Sequence, residues 1–430
     1  MTALDARTVP ADPTSRDALA ARGLDYRVVE ADDLADHLRA EYRGFLGDEP
    51  TEAEVADDLR THAERRVIGV YDAASPQPYP VATECAWVTP LSVPGGEIDM
   101  WAISGVTVAA THRRRGIARG MLEGDLRAAK DAGLAIAGLT ATEATIYGRY
   151  GFAPAAPAAH VRVDARRAGW GGVDPSARLE FVERSELARD LGELHERTRA
   201  ARAGDVGAWP RRWEQKAGLT PDVDKPRQVR GVRALDATGA LVGALAFRVL
   251  ETAEYHNHTL KIEHLVAATP DAHAALWRFA LSYDLVGTVE APLQPVDDAL
   301  GWLVRDRRAV TSRAHDHGWL RILDVPRALA ARELSGAFGV RLAVTDPLGL
   351  ADGAWTVARL GAEGARSEPL AEGQAAEVTL DVGALSAAYL GGVRLETLQA
   401  AGRVTGDPAK IRALSDALSA RRAPHLSIWY

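Results

Sequence analysis

The same four letters, VAAT, occur at residues 108–111 and again at residues 266–269. Each copy follows a stretch that predicts a strand, and each precedes a stretch that predicts a helix. The surrounding order of strand, strand, strand and helix also repeats. We therefore expect two related domains, over residues 25–158 and 159–311, and this repeat constrains the fold more than any other feature of the sequence.

The rest of the chain has a different pattern. Residues 312–430 predict strands at residues 318–325, 340–346, 355–360 and 377–382, together with several helices, which is typical of an antiparallel sheet with helices on one side. Residues 1–24 predict a polar tail. The predicted fold is mixed α/β, of the α+β class, with two tandem domains of one type and a third domain of another.

The composition predicts a folded protein that neither binds nucleic acid nor spans a membrane. With 430 residues, 47% hydrophobic and 26% charged, the chain can form two to three cores. Its formal net charge of −8 argues against nucleic-acid binding through phosphate neutralisation. The longest apolar stretch, near residues 239–247, is far shorter than the roughly 20 residues of a membrane-spanning helix, so no membrane span is expected.

Cysteine usage and the N-terminal sequence indicate the compartment. The single cysteine, Cys85, cannot form an internal disulfide and fits a reducing environment. The first residues lack the apolar stretch of a secretory signal, so we expect a cytoplasmic protein. Histidines within residues 256–264 and 315–317 lack a third ligand at a recognisable spacing, and no metal site is expected.

A basic, glycine-containing turn follows the first copy of VAAT. It reads HRRRG at residues 112–116. A strand that ends at such a turn and begins a helix directs several backbone N–H groups and the positive end of the helix dipole at one point, which suits a phosphate. Gly116 permits close approach, and Arg113 and Arg114 add charge and forked donors. The alternative is a solvated basic helix start.

The second copy of VAAT lacks this turn. It continues as PDAHA at residues 270–274, with an acidic residue where the first copy has arginines. The sequence also contains no Gly-Lys-Ser or Gly-Lys-Thr and no Gly-x-Gly-x-x-Gly after a strand, which argues against the Walker and Rossmann nucleotide sites. An anion site is therefore expected in the first copy alone.

The pattern Arg113-x-x-Gly116-x-Ala118 after a strand resembles the acetyl-coenzyme A signature of the GCN5-related N-acetyltransferases (GNAT). Four segments in order are similar to the Eis (enhanced intracellular survival) family of aminoglycoside acetyltransferases: HRRRG at 112–116, IYGRYGF at 146–152, YLGG at 389–392 and AGRV at 401–404. This resemblance extends from about residue 24 to Tyr430.

The resemblance implies the domain types and the reaction. It implies two GNAT domains followed by a sterol-carrier-protein-like domain, with acetyl-CoA bound by the first GNAT domain only. The expected reaction is direct acetyl transfer to amines of aminoglycosides, other polyamines or lysine-containing peptides, in a homohexamer. A lipid- or sterol-binding protein that uses the C-terminal domain, with an inactive acetyltransferase scaffold, is the alternative.

The resemblance also implies which residues bind the cofactor. The backbone of Val106 and Val108 would pair with the pantetheine arm and hold the thioester carbonyl. The remaining cofactor contacts implied are Arg113, Arg114, Gly116, Ile117, Ala118 and Thr142.

Two catalytic residues follow from the same resemblance. Tyr147 would be the general acid, since a phenol can protonate a leaving thiolate. The carboxylate of Tyr430, in an unusually apolar and aromatic C-terminal segment, would be the base that takes a proton from the amine. A packed tyrosine with a satisfied hydroxyl is the alternative for Tyr147. Acidic residues at 48–58 could face a cationic substrate, although a solvated helix face with its N-cap is the stronger interpretation.

Overall fold

The computed structural model describes residues 4–359 and 366–430. These residues form two compact units. The first contains Met1–Ala155, His317–Arg421 and Tyr430, and the second contains Ala156–Asp316 and Arg422–Trp429. None of the helices in the described ranges combines the length and apolar character that crossing a membrane requires.

The α-helices are α1 (Pro13–Ala20), α2 (Leu34–Gly44), α3 (Glu52–His62), α4 (Ile117–Asp131), α5 (Ala144–Tyr147), α6 (Ala165–Ala168), α7 (Arg184–Thr198), α8 (Pro210–Lys216), α9 (Pro270–Leu281), α10 (Leu300–Leu303), α11 (Val325–Ala330), α12 (Val382–Ala388), α13 (Leu395–Ala400) and α14 (Pro408–Leu418).

The strands are β1 (Leu24–Val28), β2 (Arg66–Asp72), β3 (Ala82–Val93), β4 (Gly96–Val108), β5 (Ile136–Thr140), β6 (Ala153–Asp164), β7 (Arg178–Val182), β8 (Arg230–Leu235), β9 (Leu241–Leu250), β10 (His258–Ala267), β11 (Val286–Gln294), β12 (Val310–Ile322), β13 (Phe338–Thr345), β14 (Gly353–Arg359), β15 (Arg366–Pro369), β16 (Val378–Asp381) and β17 (Val404–Gly406).

The main sheet of the first unit has the order β1-β2-β3-β4-β5-β12. Its strands are antiparallel except for β4 and β5, which are parallel and pair at Trp101–Ala137 and Ala102–Gly138. Beyond these pairs β4 continues to Val108, and its register with β3 shifts opposite Glu84, between Ser104 and Thr107. The two central parallel strands therefore separate toward their C-terminal ends, and α4 packs its buried apolar face under this sheet.

Residues 4–24 are folded onto the first unit and are not a polar tail, so this prediction was wrong for the described residues. Within the described part, α1 packs against α4, Leu19 is buried, and Arg66 donates to the backbone oxygen of Val9 at 2.9 Å. Asp12 caps α1 and accepts a hydrogen bond from Arg127 at 2.8 Å. This segment has too few apolar positions to show a helical period. Its sequence therefore predicts a polar tail, although the segment packs against the first unit.

The second sheet of the first unit has the order β15-β14-β13-β16-β17. The prediction of an antiparallel sheet was wrong in one place, because β13 and β16 are parallel. The chain connects this parallel pair through a crossover that local sequence patterns do not reveal. The end of the strand predicted at residues 355–360 lies outside the described residues.

The second unit repeats the strand order in its own sheet, β6-β11-β10-β9-β8-β7. Strands β10 and β11 are its parallel pair, and β9 and β10 shift register near His264. Its core is a separate cluster of buried apolar residues around Phe247, Leu276 and Trp277. Strand β6 was missed because Pro154 and Pro157 indicate a turn, whereas both prolines lie within this strand.

Candidate active site

The basic turn of the first unit has the geometry of an anion cradle. Gly116 is the N-cap residue of α4, has a left-handed φ of 77°, and makes no side-chain capping hydrogen bond. Arg114 is also left-handed, with φ 63°. Ile117, at the first helical position, points its side chain into the core, and Ala118 is half-buried. The first amides of α4 are therefore left for a partner other than a capping side chain.

The charged residues of the turn divide into two groups. Asp72 accepts hydrogen bonds from Arg115 at 2.9 Å and from His112 at 3.1 Å. The backbone N–H of Ala74, followed by Arg115, holds the pKa of Asp72 at about 2, so this carboxylate is charged at neutral pH. Arg113 and Arg114 are exposed and form no ion pair with any residue that the structure describes. They are the two arginines available to a ligand.

Sequence reasoning missed Arg22, which also lies at the turn. Its guanidinium donates to the backbone oxygen of Arg115 at 2.8 Å. A Cβ atom at Gly116 would collide with the same guanidinium. Arg22 stands in the segment that was predicted to be a tail, so the sequence offered no signal for its role.

The cofactor residues of β4 stand where the strand leaves β5. Val106 and Val108 are partly buried, and Gly105 before them has a left-handed φ of 65°. This glycine and the register shift opposite Glu84 form a bulge that turns the end of the strand away from its neighbour. Thr142 is exposed in the loop between β5 and α5. Backbone groups at the end of β4 are therefore placed beside an opening in the sheet.

Tyr147 ends α5 and is buried, with 8% of its surface exposed. It packs in a cluster that also receives Val106, and its ring meets that of Phe152 edge-on with centroids 6.1 Å apart. Burial, then the nearby Glu84 carboxyl, raises the pKa of Tyr147 to about 12. Its phenol is therefore protonated across the whole neutral range, as a proton donor must be.

The loop after Tyr147 is fixed by a buried arginine that the sequence did not single out. Arg321 on β12 is fully buried and donates from Nε to the backbone oxygen of Tyr150 at 3.1 Å. It also pairs with Asp346 at 2.6 Å, and both side chains are inaccessible to solvent. A buried ion pair is retained mainly when it fixes geometry. Here it connects the β13 end to the segment that carries Tyr147.

Tyr430 lies in the first unit with its ring and its backbone both engaged. Its backbone oxygen accepts a hydrogen bond from the hydroxyl of Thr140, at the end of β5, at 2.5 Å. Its ring meets that of Trp87 edge-on with centroids 5.5 Å apart. Within the second unit, Ser427 donates to Asp205 at 2.8 Å from both its N–H and its hydroxyl. Tyr430 is thus buried and hydrogen-bonded, whereas Trp429 before it is exposed.

The acidic segment before β2 is mainly structural. Thr51 and Glu54 form a complete capping box at the start of α3. Asp57 pairs with Arg60 at 2.5 Å, and Asp58 accepts from the hydroxyl of Tyr42 at 2.7 Å. The interpretation as a helix face with its N-cap is therefore the better one for these residues.

The histidines considered from the sequence do not form a metal site in the described residues. His264 is buried in the second unit beside the ring of Trp213, with centroids 5.3 Å apart. His258 accepts a hydrogen bond from the backbone N–H of Thr252 at 3.2 Å.

Comparison with known proteins agrees with this architecture. Two models for an acetyltransferase (GNAT) domain match residues 25–155 and 206–322, and a model for a sterol carrier protein domain matches residues 325–427. Two GNAT domains followed by a sterol-carrier-protein domain, as predicted, are thereby confirmed.

Similar proteins align over most of the chain. An uncharacterized N-acetyltransferase of Streptomyces avermitilis is 35% identical over 407 residues, covering 92% of this chain and 96% of the relative. The N-acetyltransferase Eis of Mycobacterium tuberculosis is 31% identical over 340 residues, covering 76% and 80%. The crystal structure of Eis1 from Mycobacterium abscessus superposes with a TM-score of 0.79 at 27% identity, covering 94% and 100%. The chain belongs to the Eis family of GNAT N-acetyltransferases.

Proposed function

We propose that the protein transfers an acetyl group from acetyl-CoA directly to a cationic amine, with all catalytic groups in the first unit. The observation that carries this proposal is the combination of an uncapped helix start at Gly116 with a buried, protonated Tyr147. The uncapped helix start would bind the phosphates of coenzyme A, and the phenol of Tyr147 would protonate the leaving sulfur. Neither feature would be needed by a scaffold without activity.

The residues present fit coenzyme A. The first amides of α4, including those of Ile117 and Ala118, would receive a phosphate, with Arg113 and Arg114 beside them. The opening beyond the last β4–β5 pairs leaves room for a strand-like arm against Val106 and Val108, and Thr142 would flank it. When bound, acetyl-CoA supplies an acetyl thioester whose carbonyl carbon accepts the amine.

Two groups of the chain would move the protons. The carboxylate of Tyr430 would take a proton from the ammonium form of the substrate, which makes the nitrogen lone pair available. The phenol of Tyr147 would give its proton to the sulfur as the carbon–sulfur bond breaks and the amide bond forms. The hydrogen bond from Thr140 to Tyr430 would hold the carboxylate in place.

A covalent acetyl-cysteine is not required by this arrangement. Cys85 is 1% exposed, and its sulfur lies 3.6 Å from the guanidinium of Arg65 inside the domain. A buried thiol has no route to a bulky thioester. We therefore infer transfer within one ternary complex.

The acceptor class is the part of the proposal that rests on family membership. Aminoglycosides, other polyamines and lysine-containing peptides all present the cationic amine that the carboxylate of Tyr430 would deprotonate. Asp48 and Glu49 are exposed beside α3 and would add negative charge for such substrates. We also propose a cytoplasmic homohexamer.

The test is release of free thiol from acetyl-CoA, with aminoglycosides, polyamines and lysine peptides supplied separately. Release that depends on one amine class is expected and would name the acceptor. A protein extended beyond Tyr430 should bind coenzyme A normally but turn over slowly, because its terminal carboxylate is displaced. No release with any amine, together with a co-purified lipid, would contradict the proposal and favour the lipid-binding alternative.

A further inference from the structure

Three side chains with metal-binding atoms converge behind the bulge of β4. They are His37 and Glu41, one turn apart on α2, and His62, at the end of α3. One potential ligand atom from each lies within 4.8 Å of the other two. Glu41 Oε2 is central, 3.2 Å from Nε2 of His62 and 4.0 Å from Nδ1 of His37. Local sequence patterns do not join these residues, because His62 lies on a different helix from His37 and Glu41.

Both imidazoles are oriented by the backbone. Nε2 of His37 lies 3.1 Å from the backbone oxygen of Ile68, and Nδ1 of His62 lies 3.2 Å from that of Asp58. Since a carbonyl can only accept, each of these nitrogens carries a hydrogen. The opposite nitrogen of each ring then faces Glu41. An imidazole held by a backbone carbonyl on its outer nitrogen is the usual arrangement of a metal-bound histidine.

One hydrogen bond does not satisfy this cluster. Nε2 of His62 lies 3.2 Å from Oε2 of Glu41, so a hydrogen can bridge these two side chains. Nδ1 of His37 has no hydrogen-bond partner among the described residues. His37 is fully buried, so this nitrogen cannot turn to solvent. A lone pair and a carboxylate oxygen face each other there without a positive group between them.

We propose that His37, Glu41 and His62 bind one zinc ion. Two imidazole nitrogens and one carboxylate oxygen are a common zinc ligand set. Ligand atoms around tetrahedral zinc are about 3.3 Å apart, given metal–ligand distances near 2.0–2.1 Å. The His62–Glu41 pair already has this spacing, and the 4.0 Å between His37 and Glu41 would have to close by about 0.7 Å. Two imidazole donors favour zinc over magnesium or calcium, which prefer oxygen ligands.

The position of the cluster gives the ion a mechanical role. Glu41 contacts the backbone of Gly105 so closely that a Cβ atom at this glycine would lie 2.9 Å from Oε2. A zinc ion on Glu41 would fix α2 and α3 against the bulge that precedes Val106. Glu41 keeps 18% of its side chain exposed, which provides an entry path. This inference does not rest on the proposed function, because zinc binding is measured without any substrate.

The test is a titration of chelator-treated, full-length protein with ZnSO₄ alone, followed by competition with a chromophoric chelator. The wild type should bind one zinc per chain and gain thermal stability. Glu41→Gln and His62→Gln should each weaken binding by more than the roughly 10–100-fold that the loss of an outer partner costs. His256→Gln is the matched control, because this histidine is exposed and lies in the second unit.

Three outcomes would overturn the proposal. In the first, the wild type binds no zinc although circular dichroism shows that it is folded. The His62–Glu41 pair would then hold a proton instead of a metal ion. The second is zinc binding that Glu41→Gln and His62→Gln leave unchanged, which would mean an adventitious surface ion. The third is binding that only His256→Gln removes.

Discussion

The two GNAT domains differ at the start of one equivalent helix. In the first domain, α4 begins at Gly116, and no side chain caps it. In the second, α9 begins after Thr269, whose hydroxyl accepts from the backbone N–H of Ala272 at 3.1 Å. Pro270 follows and has no N–H to satisfy. One domain leaves its helix amides for a ligand, and the other satisfies them itself.

In the second domain, Asp271 also occupies the turn at the start of α9. This carboxylate accepts hydrogen bonds from the backbone N–H groups of Ser176 at 2.9 Å and Ala177 at 2.8 Å. A phosphate would meet a carboxylate where the first domain offers Arg113 and Arg114. The comparison teaches that a repeated framework keeps or loses a binding site through a few residues at one helix terminus.

The largest expected effect is on Tyr147, whose hydroxyl we place only in the first domain's reaction. Tyr147→Phe should lower kcat by about 10²–10⁴-fold, because the leaving sulfur loses its proton donor. Coenzyme A affinity should change little. Steady-state kinetics and calorimetry measure the two quantities.

Tyr150→Phe is the matched control for this change. Tyr150 is buried in the same apolar cluster, so its substitution removes a hydroxyl from the same surroundings. If Tyr150→Phe lowered kcat as much as Tyr147→Phe, the loss would reflect packing and not proton donation.

The next effect concerns the uncapped turn itself. Gly116→Ala should weaken coenzyme A binding by at least about tenfold, because it adds about 1–2 kcal/mol of left-handed backbone strain and displaces Arg22. Calorimetric titration with coenzyme A measures the change.

Gly239→Ala separates binding from stability. Gly239 has a similar φ of 85°, lies in a hairpin of the second unit, and has open space where a Cβ atom would be. It should lower the melting temperature while coenzyme A affinity stays unchanged. Equal affinities in the two variants would mean that the turn at Gly116 does not hold the cofactor.

A smaller effect is expected on the way in which the stability of the second unit depends on pH. Burial, then Lys216, holds the pKa of His264 well below its usual 6.5. As pH falls, His264 therefore takes up a proton in the unfolded chain at a higher pH than in the folded protein. The free energy of unfolding should decrease below about pH 6.5, by at most about 1.4 kcal/mol per pH unit.

Urea unfolding at several pH values checks this expectation. His264→Leu should flatten the decrease below pH 6.5, whereas His160→Gln, an exposed histidine of the same unit, should not. A wild-type curve that is flat from pH 7 to 5 would show that His264 is protonated in the folded protein.

The smallest effect is expected at the capped helix of the second domain. Thr269→Ala should cost about 1 kcal/mol of stability, because one helix amide loses its acceptor. Coenzyme A affinity and kcat should not change. Denaturant unfolding with parallel kinetics tests this, and a loss of coenzyme A affinity would contradict the assignment of binding to the first domain alone.

Much of the fold was predictable because its local rules are simple. Strands β13 (Phe338–Thr345) and β16 (Val378–Asp381) lie within two residues of the strands predicted at 340–346 and 377–382, because short apolar runs are bounded there by turn residues. The turn before Gly116 was recognisable because glycine, arginines and a helix start are adjacent in sequence.

The rest depends on contacts that are distant in sequence. Arg22 and Arg321 reach the site from segments with no motif of their own, 93 and 171 residues from their acceptors at Arg115 and Tyr150. Topology likewise determines that β13 pairs in parallel with β16. It also determines that His37 and His62 lie close together. Local periodicity carries no information about such encounters.

The most direct measurement is the number of coenzyme A molecules bound per chain, determined by calorimetric titration of the full-length protein and of Gly116→Ala. The account predicts one site in the wild type and a strongly weakened one in the variant. Two sites per chain, or one site that Gly116→Ala leaves intact, would contradict the claim that helix α4 of the first domain alone is open to the cofactor.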